Sequence, residues 1–205
     1  KTVERSLEKN QKILNANKPE GKVAESALTG LLAHLNEGLA ARSFKRDVKQ
    51  DDVIKNLFLL TDKPMIYVAN VDDHSIDTDQ LSKAKQIATN NLSSFVTING
   101  KLESEIADFD EEEKIIILED YNLKETGLST LIKEAYNTLG LQTFFTCGEI
   151  EVRGWTINKG ECAVDAAAEI HTDFATKFIK AEIYTFDDAI KHQDNIKELK
   201  TLTAS

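Results

Sequence analysis

Residues 141–184 constrain this chain more than any other stretch, because alternation of period two gives way to helical spacing and then returns within about forty residues. Gln142–Thr146 and Glu151–Ile157 are rich in Thr, Phe, Val, Trp and Ile, the residues that suit a pleated surface, and turn material around Gly148 separates them. Gly160 ends the extended part. From Ala163 to Ile170 the alanines, with Val164, Ala167 and Ile170, recur at helical spacing. Phe178–Tyr184 then alternates apolar with charged side chains, which predicts a third, half-buried strand.

Strand, strand, helix, strand is the opening of a β-grasp, ubiquitin-like α+β unit. Five short motifs give the segment a signature: TFFT-C-G at Thr143–Gly148, EVR-G-WTI at Glu151–Ile157, Lys159-Gly160, IHTDF at Ile170–Phe174, and F-I-K-AE at Phe178–Glu182. In this order they closely resemble the TGS domain of the YchF / Obg-like ATPase family. The resemblance implies a P-loop NTPase family whose members hydrolyse ATP and work in translation, with ribosome or RNA as partner.

Composition fits a chain of more than one small unit. At 205 residues with 41% hydrophobic and 29% charged residues, sizeable cores can form. The opening KTVERSLEKN is charged, and no apolar run approaches the ~18 residues a spanning helix needs, so the reading is cytoplasmic with no membrane role. Cys147 and Cys162 have neither CxxC spacing nor nearby histidines and are read as free thiols. The formal net charge is −10, the wrong sign for a protein that grips nucleic acid through phosphates, and nothing points to DNA specificity. Residues 141–205 carry seven Lys and Arg against eleven Asp and Glu. Contact with ribosome or RNA would therefore need a local patch, for which Arg153, Lys159, Lys177 and Lys180 are the candidates, or a protein partner. Ordinary solvated side chains are the alternative for all four.

Three pieces follow from the pattern. In residues 1–42, Val3, Leu7 and Leu14 form one apolar stripe, and Val23, Ala27, Leu28, Leu31, Leu35 and Leu39 another. Asn17, Pro19 and Gly21 break the periodicity between them, which predicts an antiparallel helical hairpin of coiled-coil type. The resemblance places a helical insertion at this position of the family's nucleotide-binding domain. Residues 43–140 alternate helix and strand and are read as the remnant of a parallel-sheet P-loop NTPase domain, giving an α/β chain overall. Residues 141–205 form the TGS unit.

Within 43–140, Pro64 opens the run Met65–Ala69, of the continuous apolar kind found in parallel strands covered on both faces. A helix follows with Leu81, Ala84, Ile87 and Ala88 on its buried side, then a strand over Phe95–Ile98. Ligands of open α/β sheets sit beyond the carboxyl ends of strands, so the places to look are Asn70–Asp73 and Asn99–Lys101. An Asn amide can donate to a ring nitrogen or tie two loops together, and a carboxylate accepts from a base's N–H groups. Asn70, Val71, Asp73, Asn99, Gly100 and Lys101 are the candidate base-binding residues. By resemblance, the apolar Val71 suits the family's adenine-reading loop, in which the fourth residue is Glu. Asp73 departs from that pattern by one methylene, and the expectation is ATP over GTP, with magnesium, in the intact protein.

The phosphate-handling parts are absent from these 205 residues. No G-x-x-x-x-G-K-[ST] occurs: Gly100-Lys101-Leu102 and Gly21-Lys22-Val23 lack the leading glycine and the hydroxyl. There is also no Asp-x-x-Gly after a strand to hold magnesium. The chain opens in a helical pattern without Met and closes before the last strands of a TGS domain. It is accordingly read as a carboxy-terminal portion with an incomplete TGS unit, holding no cofactor alone and lacking hydrolytic activity by itself.

Other features have structural readings. Asp110 is expected to cap a helix with Glu113 at its third position, rather than the acidic run binding metal. His171 and Asp173 are expected to form a turn, and Trp155 and Phe178 to pack in a core. Two functions remain: the base-recognition, coiled-coil and TGS portion of a YchF-like ATPase, or a noncatalytic adaptor binding RNA or protein.

Overall fold

The computed structural model describes residues 1–15, 19–72, 78–147 and 151–191. The chain divides into two compact units, Lys1–Leu139 and Gly140–Ser205.

The first unit opens with α1 (Thr2–Asn15) and α2 (Pro19–Asn36), packed side by side. Pro19 stands at the first position of α2, where its missing N–H costs nothing. Gly21 corrects the reading of a turn glycine, because it lies inside α2 and is buried. A Cβ there would stand 3.1 Å from the Leu14 amide nitrogen and 3.2 Å from Ile13 Cγ2, so the glycine is needed for close helix approach. Asn10, 5% exposed, donates from Nδ2 to the Gly21 carbonyl at 2.8 Å and so satisfies a polar group in the seam. The helix ends at Asn36, followed by Gly38 at φ +80°, and Leu39 lies beyond it as an exposed residue.

The apolar stripe of α2 faces more than its partner helix. Val3, Ala27, Leu28, Leu31, Ala41 and Ile54 form one core, with Leu7, Leu35, Phe44 and Leu57 packed against it. Ile54 belongs to α3 (Val48–Lys55), whose start is fixed by a capping box between Asp47 and Gln50. Arg46 reinforces this junction, donating from Nε to Asp51 at 2.7 Å and from a terminal nitrogen to Asp62 at 2.6 Å. The Lys55 ammonium, 2.7 Å away, and then the Arg46 guanidinium hold the Asp51 carboxyl below the usual carboxylate range.

Beyond this junction, β1 (Ile66–Asn70) and β2 (Ser94–Ile98) pair in parallel, Ile66 opposite Ser94 and Asn70 opposite Ile98. The crossover is α4 (Thr78–Asn90), with Leu81 and Lys85 beside Phe95 and Thr97 on one sheet face. α5 (Gly100–Glu105) and α6 (Glu111–Asp120) follow, then α7 (Gly127–Leu139). α7 takes the opposite face, where Ser94 Oγ donates to Glu134 at 2.5 Å. The Asp110–Glu113 capping box opens α6 as its sequence indicates, with Glu113 N–H donating to Asp110 Oδ1 at 2.9 Å.

In the second unit, β3 (Leu141–Cys147) and β4 (Val152–Asn158) form an antiparallel ladder with Phe144 opposite Trp155. α8 (Ala163–Ile170) packs on β4, and Ile157 is the buried residue of that strand. Asp165 accepts from both the Cys162 N–H and its thiol at 2.9 Å, which holds its carboxyl below the ordinary value. Both cysteines are free thiols and exposed. α9 (Thr172–Thr176) is a single turn capped by His171, whose Nδ1 accepts from the Asp173 N–H, so the His-Thr-Asp-Phe motif is a structural turn.

The expected strand over Phe178–Tyr184 does not form. Ile179 and Ile183 are 92% and 68% exposed, and no ladder in the described structure includes this segment. Alternation alone supplies neither a pairing edge nor a face to bury, and an extended segment without both has nothing to offset its ordering entropy. α10 (Phe186–Lys191) ends the described chain, and the expected polar insertion beyond Lys191 lies outside the described residues.

Candidate functional site

Two turns leave the carboxyl ends of β1 and β2 side by side. The pairing of Asn70 with Ile98 fixes this, and the ladder runs one step further, with Val71 N–H donating to the Ile98 carbonyl at 2.8 Å. Asn70 then crosses to the second turn, its Oδ1 accepting from the Gly100 N–H at 3.0 Å. A Cβ at Gly100 would lie 3.2 Å from that oxygen, tighter than ordinary contact, so the small residue allows the link. Asn99 acts within its own turn, where its Oδ1 accepts from the Leu102 N–H at 3.0 Å and caps α5.

Between the turns lies a cleft of about 210 Å³ lined by Asn70, Val71, Asp72, Asn99 and Lys101. Five of the six candidate base-binding residues therefore meet at one place, with Gly100 forming the link beneath it. Asp73 lies outside the described residues. Asp72 lines the cleft although it is not among the residues picked out from sequence. Its place in the four-residue turn was the available signal. Lys101 is largely exposed, its ammonium 3.9 Å from Glu105. A larger hollow of about 310 Å³, lined by Leu81, Ser82, Lys85, Phe95 and Thr97, lies where α4 meets the sheet face. It joins no two loops, whereas the tip cleft brings amide, carboxylate and ammonium groups together.

Chemically, the cleft suits a flat heterocycle with polar edges. The Asn70 amide uses its oxygen to hold the turns together, and its nitrogen end is a donor of the kind a ring nitrogen accepts. Val71 contributes an apolar surface and Lys101 a cation. Among the described residues no group of three or more His, Cys, Asp or Glu could hold a metal ion.

The four cations proposed for RNA contact are all exposed. Arg153 stacks its guanidinium 4.2 Å from the Trp155 ring centre, and Trp155 Nε1 donates to Thr146 Oγ1 at 2.9 Å, anchoring both in the hairpin. Lys159 follows β4, Lys177 caps α9, and Lys180 lies 4.0 Å from Glu182 in the irregular segment. No helix among the described residues is long and apolar enough to cross a membrane.

Residues 141–204 match the family model described as YchF-GTPase_C: Protein of unknown function (DUF933). Over 191 residues the chain is 37% identical to the "Ribosome-binding ATPase YchF" of Haemophilus influenzae, covering 93% of this chain and 53% of that protein. The Bacillus subtilis protein of the same name is 35% identical over 193 residues, covering 92% and 53%. The solved YchF GTPase of Schizosaccharomyces pombe superposes with a TM-score of 0.79 at 30% identity, covering 94% of this chain and 53% of that one. The chain thus spans about half the length of the relatives it matches.

Proposed function

The chain belongs to the YchF family, and on that premise we propose that it supplies purine recognition, helical hairpin and TGS module to a ribosome-associated ATPase. The observation that carries this reading is the Asn70 to Gly100 link, which joins two turns at neighbouring parallel strand tips over a cleft of polar and apolar groups. In this reading the functional divisions are the hairpin over 1–42, the nucleotide-binding part over 43–140 and the TGS unit over 141–205. Asn70, Val71, Asn99, Gly100 and Lys101 bind the base, and Asp73 is assigned to the same site, a carboxylate being able to accept from a base's N–H groups. Phosphates and magnesium are held by sequence that the chain does not contain, in the other half of a protein of the relatives' length. The bound magnesium nucleotide supplies the reactive phosphoryl group, and the residues described here orient its base.

Arg153, Lys159, Lys177 and Lys180 are proposed as the contact with ribosomal RNA, a local patch in an acidic protein acting in the cytoplasm. The test is competition of ATP and GTP for a fluorescent adenine nucleotide, using a protein of the relatives' full length. The reading predicts that ATP competes about tenfold better than GTP, a difference of about 1.4 kcal/mol. Equal competition would remove the adenine preference. Absence of binding by either would favour the adaptor function.

A further inference from the structure

α5 is six residues long, too short to set its own position, yet it carries Lys101 into the cleft and the Gly100 amide to the Asn70 side chain. Leu102 and Ile106, 2% and 3% exposed, bury one side of it. Apolar burial is non-directional and leaves the height and rotation of so short a helix loosely set. A directional contact comes from Glu103. Its Oε1 accepts from the Gly127 N–H at 2.6 Å, and Gly127 is the first residue of α7. A carboxylate at a helix start is favoured by both the unpaired amide and the helix dipole.

Gly127 is itself pressed against the end of β2. A Cβ there would stand 2.9 Å from Ile98 Cγ2 and 3.1 Å from Ile98 Cα, so a side chain at this position would have to push the end of β2 aside. The contacts form a closed circuit: β2 ends at Ile98, Asn99 and Gly100 follow, α5 presents Glu103 to Gly127, and Gly127 returns to Ile98. The Asn70 side chain is attached to this circuit at Gly100.

Building on the purine-site reading, we propose that Glu103 is the positioning residue of the cleft. By holding the first amide of α7, its carboxylate fixes α5 so that the Gly100 amide faces Asn70. Glu103 does not line the cleft and acts through the turn it holds.

Backbone amide exchange, followed by NMR on the 205-residue chain without nucleotide, tests this directly. In E103A, exchange at Gly100 and Leu102 is expected to rise about tenfold, the loss of one charge-assisted hydrogen bond, while amides of the α2 core around Leu31 keep their protection. E103Q retains a carbonyl oxygen that can accept, and should restore protection to within about threefold of the original. G127A reaches the same junction from the other side and should also raise exchange at Gly100. If E103A does not fold, G127A and E103Q carry the test. Unchanged exchange at Gly100, a rise spread evenly over the first unit, or an E103Q protein as fast as E103A would each overturn the proposal. Because no nucleotide is present, failure here is separate from failure of the base-binding reading, which nucleotide competition decides.

Discussion

Replacing Asn70 by Ala in a protein of the relatives' full length is expected to weaken ATP binding about fiftyfold and to shift the unfolding midpoint little. One side chain makes two hydrogen bonds in the proposed site, with its Oδ1 accepting from the Gly100 N–H at 3.0 Å and its Nδ2 facing the base. Losing both costs about 2 to 2.5 kcal/mol, because the Gly100 amide loses its partner and the second turn loses its anchor. The residue is exposed at a strand tip, so little of the core depends on it. Asn70→Asp keeps the accepting oxygen and loses the donor, and should fall between the two. Isothermal titration of both variants checks the division. A loss under threefold in Asn70→Ala would show that the tip amide does not hold the nucleotide.

Leu31→Ala is expected to lower the stability of the first unit by about 3 kcal/mol, since deleting a fully enclosed leucine loses transfer energy and leaves a cavity. Leu31 is 0% exposed and shares its core with Val3, Ala41 and Ile54, which come from the first helix, the following turn and α3. The loss is a large share of the ~5–15 kcal/mol that holds an ordinary domain together. Because the hairpin and α3 share that core, the damage should not stay in the hairpin. Amide protection at Val68 and Val96 in the parallel sheet should fall together with that at Leu31. A variant that loosens α1 and α2 alone would mean that the hairpin folds independently of the rest of its unit.

How far the sequence could be read depends on how local the determining interaction is. The Asp110–Glu113 capping box is complete within four residues, and its two hydrogen bonds form as the spacing requires. The stripe Ala27, Leu28 and Leu31 is likewise a property of one helix, and the run after Pro64 becomes β1. Gly21 was less legible: a glycine two residues after a proline has the composition of a turn, and only the approach of Ile13 and Leu14 explains it within a helix. Phe178–Tyr184 has the alternation of a strand, but pairing is decided by a distant edge that no local pattern encodes. At the cleft, the order of strand, Asn70 and strand, Asn99 located the two turns. The sequence could not distinguish an asparagine that ties the turns from one that caps a helix, which depends on whether Gly100 or Leu102 lies within reach. Glu103 and Gly127, 24 residues apart, carry no sequence signal for their contact.

The most direct measurement is an isotope-filtered NOE experiment on a protein of the relatives' full length, methyl-labelled at valine and loaded with a non-hydrolysable ATP analogue. Cross-peaks are predicted from the adenine ring protons to the Val71 methyl groups, lost in Asn70→Ala at the same nucleotide concentration. Tight binding of the analogue with no adenine contact to Val71, or with its contacts at another valine, would contradict a purine site between the two turns.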